Sequence, residues 1–204
     1  MHAAGVAALL LLSGAPSGAP SLEDVRSRIP DAVLDLRYAT TQNFIGRAVY
    51  PPGARCLLLP PVAERLSRAA ARLREEGLRL VLWDCFRPLA VQREMWKVAP
   101  RPGYVANPAR GSNHNRGAAV DVGLAGPDGA PVPLPTEFDA FSPAAHAGAK
   151  DVPEPARRNR DRLRAAMEAE GFRVNRMEWW HFDAPEARGA PVLDVPLEPR
   201  EAAR

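Results

Sequence analysis

The stretch Gly111-Ser112-Asn113-His114-Asn115-Arg116-Gly117-Ala118-Ala119-Val120-Asp121 constrains the fold more than any other, because it sets a histidine and an aspartate on either side of a glycine-bearing turn. Near the other end, Glu178-Trp179-Trp180-His181-Phe182 adds a second histidine and a glutamate. Together they hold the ingredients of a catalytic zinc site: His114, Asp121 and His181 as ligands, a fourth position left to water, and Glu178 as the base. Two neutral imidazoles and one carboxylate leave the ion a net positive charge that acidifies the water. On an unbroken strand, residues seven apart or three apart point to opposite faces, so neither His114 and Asp121 nor Glu178 and His181 would meet at one ion. The spacing therefore predicts a turn at Asn115-Arg116-Gly117, where Asn and Gly tolerate positive φ, and a bulge or strand end around Trp179. The competing reading, packed or surface histidines with no ligand role, has to place two of the four histidines by chance inside compact motifs with acidic neighbours.

Ser112-x-His114-x-x-Gly117-x-Ala119-x-Asp121 followed by Glu178-Trp179-Trp180-His181 resembles the zinc D-alanyl-D-alanine dipeptidases, within the wider D,D-peptidase and Hedgehog-like fold. Three further blocks occur in the family's order: Asp35-Leu36-Arg37-Tyr38-Ala39-Thr40 with Asn43-Phe44-x-Gly46, then Trp83-Asp84-x-Phe86-Arg87-Pro88, then Phe138-Asp139-x-Phe141 with His146. The resemblance runs from about Asp35 to Phe182. It implies one zinc ion per chain and a small dipeptide substrate, D-Ala-D-Ala. It also implies Arg87 as the oxyanion donor, Asp139 against the substrate ammonium, and Tyr38 and Ser112 near the substrate's ends. A guanidinium suits the first role, since it offers forked hydrogen bonds and keeps its proton. From the residues alone, Arg87 reads as a surface salt bridge, a reading that only the resemblance reverses, and Asp139 reads equally as a helix cap. With three ligands in place, His146 reads as structural or as support for the metal site. Trp179 and Trp180 are expected to pack around the metal and keep it dry.

The chain departs from the family in three respects. Residues 97–111 are short, Phe86 stands where tyrosine is common, and a leader precedes the domain. A shorter loop would admit longer peptidoglycan stems, so a D,D-carboxypeptidase or endopeptidase is the alternative activity. A zinc-binding module without catalysis is the alternative class, against which stand Glu178 and Arg87.

The 204 residues suit one α+β domain with an antiparallel sheet and flanking helices, since neither repeats nor a low-complexity linker divide the chain. A net charge of +3 does not mark a nucleic-acid binder, because the arginines are dispersed among acids, as in Arg72-Leu73-Arg74-Glu75-Glu76, with no basic stripe. Residues 1–20 read as a signal peptide and 21–204 as the catalytic domain: Gly5 to Leu12 is too short an apolar run to span a bilayer and small residues follow it. Stable membrane insertion is therefore not expected, and the protein is periplasmic or secreted. The n-region carries only the amino terminus and His2, and a misplaced start would make the protein cytoplasmic. In an exported protein Cys56 and Cys85 are expected to pair, closing a loop worth about 3 kcal/mol in the chain-entropy model. In a reducing compartment they are two buried thiols.

Periodicity predicts a helix over 60–77, opened by Pro60-Pro61, with Val62, Leu66, Ala69 and Leu73 inward and Gly77 at its end. A strand over 78–83 then delivers Asp84 to Arg87, and a helix from Pro88 turns Val91, Met95, Trp96 and Val98 inward. Gly126-Pro127-Asp128-Gly129 predicts a hairpin turn between two strands. Arg157 to Glu170 reads as the last helix, with Leu163, Ala166 and Met167 inward, and Met177 to Phe182 as the last strand.

Overall fold

The computed structural model describes residues 20–197, so the predicted leader lies, but for Pro20, outside the described residues. In chain order the strands are β1 (Glu23–Asp24), β2 (Val33–Leu34), β3 (Leu57–Leu58), β4 (Arg79–Asp84), β5 (Ala119–Ala125), β6 (Arg173–Asn175) and β7 (Glu178–Asp183). The helices are α1 (Pro60–Glu75), α2 (Leu89–Val98) and α3 (Glu154–Ala169). The architecture is a single α+β domain. A five-stranded sheet runs β2-β4-β5-β7-β6, and β1 pairs with β3 in a separate two-stranded ribbon. The pairing is antiparallel except at one edge, where β2 lies parallel to β4.

α1 begins on two prolines, whose missing N–H groups cost nothing in a first turn, and buries Val62, Leu66, Ala69 and Leu73. It stops at Gly77, whose φ of +71° lets Leu78 N–H reach the Leu73 carbonyl at 2.9 Å. α1 packs against α3 and β4, so both long helices cover one face of the sheet. Leu80, Leu82, Val120, Val122 and Phe182 are almost completely buried, in keeping with this helix-covered side. Asp121, Gly123 and His181 alternate with them and point to the opposite face.

Three expectations need correction. α3 starts at Glu154, ahead of the predicted Arg157, because Pro155 is tolerated in a first turn. In α2 the inward positions are Met95 and Gln92, both fully buried, with Val91 and Trp96 half-buried. Val98 is 52% exposed, for it is the last residue of the helix, where the chain has run past the core. The Gly126–Gly129 turn forms, with Gly126 N–H on the Ala130 carbonyl at 2.8 Å. The second strand does not form: only one bridge, Ala125 to Pro131, follows, since Pro131, Pro133 and Pro135 have no N–H to give a ladder.

Trp83 lies across β5. A Cβ added at Gly123 would stand 2.6 Å from its ring, and the ring cannot retreat, being held by Phe138 and Trp179 with centroids at 5.4 and 5.7 Å. Gly123→Ala is therefore expected to destabilise the protein by about 1–3 kcal/mol through overpacking. Thermal unfolding should show Tm lower by roughly 2–4 °C per kcal/mol for a domain of this size.

Candidate active site

The turn predicted at residues 115–117 is a short 3₁₀ turn over His114–Arg116, closed by Gly117 at φ +64°. Asn115, fully buried, holds it: its side-chain carbonyl accepts Ser112 N–H at 2.6 Å and its amide donates to the Arg87 carbonyl at 2.7 Å. His114 is thereby set beside the end of β4, where its Nδ1 donates to the Cys85 carbonyl at 2.8 Å. That bond fixes the proton on Nδ1 and leaves the Nε2 lone pair for the site.

Asp121 on β5 pairs directly with His181 on β7, and partners in a ladder present side chains to the same face. Asp183, two residues beyond His181, shares that face, and its Oδ1 lies 3.0 Å from His181 Nε2. His181 thus donates from Nε2 and turns Nδ1 inward. The second irregularity lies where the spacing required it. Between Val174↔Phe182 and Asn175↔Glu178 the ladder advances one residue on β6 and four on β7, so Trp179, Trp180 and His181 bulge. This swings Glu178 to the same cleft as His181. A further bulge at Trp83 brings Asp84 opposite Asp121.

Three candidate ligand atoms converge. His114 Nε2 stands 3.1 Å from His181 Nδ1 and 3.3 Å from Asp121 Oδ1, and His181 Nδ1 stands 2.9 Å from Asp121 Oδ1. With the other nitrogen of each ring committed to an acceptor, neutral imidazoles would turn two lone pairs towards each other and a carboxylate, an arrangement relieved by a cation, whether a proton on His181 or a metal ion. Zinc at about 2.0–2.1 Å from tetrahedral ligands would space them about 3.3 Å apart, so this trio fits a metal ion.

A cavity of about 250 Å³ opens beside the trio, and Tyr38, Arg87, Ser112, Asp139 and Glu178 all line it. Arg87 is not a surface residue. It is 7% exposed, and its Nε and Nη2 donate to Asp84 Oδ2 at 2.9 and 2.5 Å while Nη1 donates to Gln92 Oε1 at 2.7 Å. Its guanidinium carbon sits 5.1 Å from the centre of the Tyr38 ring. Asp84 is saturated, also accepting Tyr50 O–H at 2.6 Å and Cys85 N–H at 2.9 Å. Of the five guanidinium N–H bonds, one on Nη1 and one on Nη2 stay unassigned. Asp139 caps no helix: at φ +60° it accepts Tyr38 O–H at 3.1 Å and Phe44 N–H at 3.2 Å.

The carboxyl groups are driven apart by their surroundings. Burial pushes Glu178 up to about 8 and Asp139 up to about 7. Burial also opposes the Asp121 carboxylate, but His114 and His181 outweigh it and hold Asp121 well below the usual range. Asp183 is likewise held at about 2: burial opposes its carboxylate, but the hydrogen bond and charge of His181, with Asn113 and His114, together outweigh it. In His181 burial disfavours the imidazolium, while Asp121 and Asp183 favour it more and raise it well above the ordinary value.

The chain matches the family model described as D-ala-D-ala dipeptidase over residues 19–197. It belongs to the D-ala-D-ala dipeptidase family. It is 37% identical over 177 residues to the D-alanyl-D-alanine dipeptidase of Escherichia coli, spanning 87% of this chain and 91% of that one. The D-alanyl-D-alanine dipeptidases of Streptomyces coelicolor and Enterococcus faecium are 34% and 32% identical, over 74% and 72% of this chain and 85% and 83% of theirs. Family membership makes this protein a peptidase, hence a hydrolase.

Other residues singled out in the sequence stand behind the cavity. Cys56 and Cys85 are joined as a disulfide, outside the lining but one carbonyl from His114. Trp179 and Trp180 are fully buried and pack on each other at 5.6 Å. His146 lies 3.3 Å from the hydroxyl of Tyr104, which lines the cavity. The sequence reading gives no role to Asp84, Asn175, Asp183 or Gln92, and gives Asn115 a place in the turn without its side-chain bonds. Asp183 carried a signal, being an acid two places beyond a candidate ligand on a strand. Asn175, whose amide donates to Glu178 Oε2 at 2.7 Å, carried none, because its approach depends on the bulge.

The raised Glu178 carboxyl has a consequence for metal-free protein. Its folded value of about 8 lies above the reference 4.5, so its contribution to stability is fully present below pH 4.5 and is lost as pH rises through 8. In protein stripped with chelator, Glu178→Gln should remove that loss, so the variant's Tm gains on the wild type between pH 5 and pH 8. Parallel Tm profiles for the two proteins would contradict the assignment.

Proposed function

We propose that the protein is a zinc-dependent D-alanyl-D-alanine dipeptidase that hydrolyses the free dipeptide to two D-alanines. The observation that carries this reading is the trio of His114, Asp121 and His181 ligand atoms at one wall of a cavity whose other walls hold Glu178, Arg87 and Asp139. The relatives named for this activity support it. A zinc ion held by the trio would polarise the scissile carbonyl and lower the pKa of its water to about 7.

Each chain residue then has a part. Glu178, buried and hydrogen-bonded by Asn175 at Oε2, would be drawn towards its charged form by the zinc charge beside it, and as a carboxylate it takes a proton at Oε1 and returns it to the leaving amine. The two unassigned N–H bonds of Arg87 donate to the oxygen that gains charge in the transition state. Asp139 meets the ammonium, and ion pairing there lowers its raised pKa towards the charged form. Tyr38, which already donates to Asp139, and Ser112 lie along the cavity near the substrate's ends. The disulfide supports an oxidising compartment, periplasmic or secreted, and thiol titration of the unfolded protein should find no free cysteine.

Purified protein should contain about one zinc per chain and should turn over D-Ala-D-Ala in preference to L-Ala-D-Glu or a pentapeptide stem. Faster release of D-Ala from the stem would instead make it a D,D-carboxypeptidase. Glu178→Ala should lower kcat by about 10⁴-fold or more while keeping its zinc, since the residue moves protons and coordinates nothing. Arg87→Lys should lower kcat and kcat/KM together by about 10²–10³-fold with little change in KM, because an ammonium cannot reproduce the fork. An unchanged kcat would leave Arg87 a purely structural residue.

A further inference from the structure

Gln92 lies outside every motif of the site and outside the lining of the cavity, yet it is a polar side chain with no exposed surface on the inward stripe of α2. An amide in that position costs free energy unless both its ends are bonded. Both are: Oε1 accepts Arg87 Nη1–H at 2.7 Å, and Nε2 donates to the Ala106 carbonyl at 2.8 Å. Ala106 and Val105 belong to the 99–111 segment and line the cavity. Gln92 therefore links the guanidinium to the wall that faces the substrate.

Arg87 is contested by two carboxylates. Asp84 grips Nε and Nη2 along one edge, and Asp121 Oδ2 stands 3.9 Å from the same Nη2. Asp84 has no acceptor to spare for Nη1, since its oxygens already take Tyr50, Cys85 and two Arg87 donors. Without Gln92 the buried Nη1 has lost its acceptor, and the guanidinium gains by turning towards the nearest carboxylate oxygen outside Asp84, the Oδ2 of Asp121, whose other oxygen faces the two histidines. Such a turn would commit a free N–H to a ground-state ion pair and withdraw it from the oxyanion.

We infer that Gln92 is a positioning residue for hydrolysis, one that holds the Arg87 guanidinium on Asp84 and off Asp121 so that its free N–H bonds face the substrate. The inference rests on the role proposed for Arg87. Only transition-state binding is affected, so kcat should fall while KM and zinc content stay.

The test is a double-mutant cycle read by steady-state kinetics on D-Ala-D-Ala with zinc-loaded protein, together with zinc content and Tm. Gln92→Met, close in size and apolar, should lower kcat about 10- to 100-fold, the range expected when a catalytic donor is misplaced by about 1 Å. In an Arg87→Ala background the same substitution should lower kcat less than about twofold, because the group it positions is gone. Equal losses in both backgrounds, or wild-type kcat in Gln92→Met, would overturn the inference and make Gln92 a packing residue. If Arg87→Ala itself keeps kcat, the proposed role of Arg87 fails, which is a separate result. Should Gln92→Met not fold, Gln92→Asn keeps the buried amide but draws its acceptor back from Nη1, and the same cycle applies with the same outcomes.

Discussion

A slip of one residue between β5 and β7 would carry His181 and Asp183 onto the face packed by α1 and α3, and Asp121 would then meet Phe182. The register is held from the helix side, where Val120 and Phe182 are paired and fully buried, and where exposing a phenylalanine would cost about 1.5–3 kcal/mol. The apolar half of the sheet thus fixes the polar half. Core packing on one face and ligand geometry on the other are two readings of the same ladder, and the bulges at Trp83 and at Trp179–His181 add residues to the polar side without disturbing it.

Within the cleft, one low-dielectric environment yields carboxyl groups of two kinds. Asp121 and Asp183 touch imidazoles and are held low, whereas Glu178 and Asp139 accept hydrogen bonds only from neutral donors and are pushed up by burial. The division follows from contact, since all four are substantially withdrawn from water. It suits a site where some anions must anchor and others must exchange a proton or receive a cation.

Much of this was legible in the sequence. The face arithmetic of His114 with Asp121, and of Glu178 with His181, called for one turn and one irregular strand, and both occur within a residue or two of the stretches named. α1 was legible because its prolines, stripe and closing glycine agree. The parallel strand β2 was not, for two residues have no period and gain their partner only from tertiary contact. Apolar character alone predicts Val98 inward, but this helix turns Gln92 inward instead, where a buried arginine needs an acceptor. The proline run after Gly129 argues against a second hairpin strand from the residues themselves, since Pro131, Pro133 and Pro135 have no N–H to give a ladder. Asp84 stood in plain sight, but its role depends on a bulge that no spacing rule announces.

The peptide unit that bears Cys85 does two jobs. Its side chain closes the covalent link to Cys56, and its carbonyl decides which nitrogen of His114 carries the proton. Opening that disulfide would therefore act on the His114 imidazole as well as on chain stability, and the oxidised and reduced proteins would be two differently tethered forms of the same candidate centre.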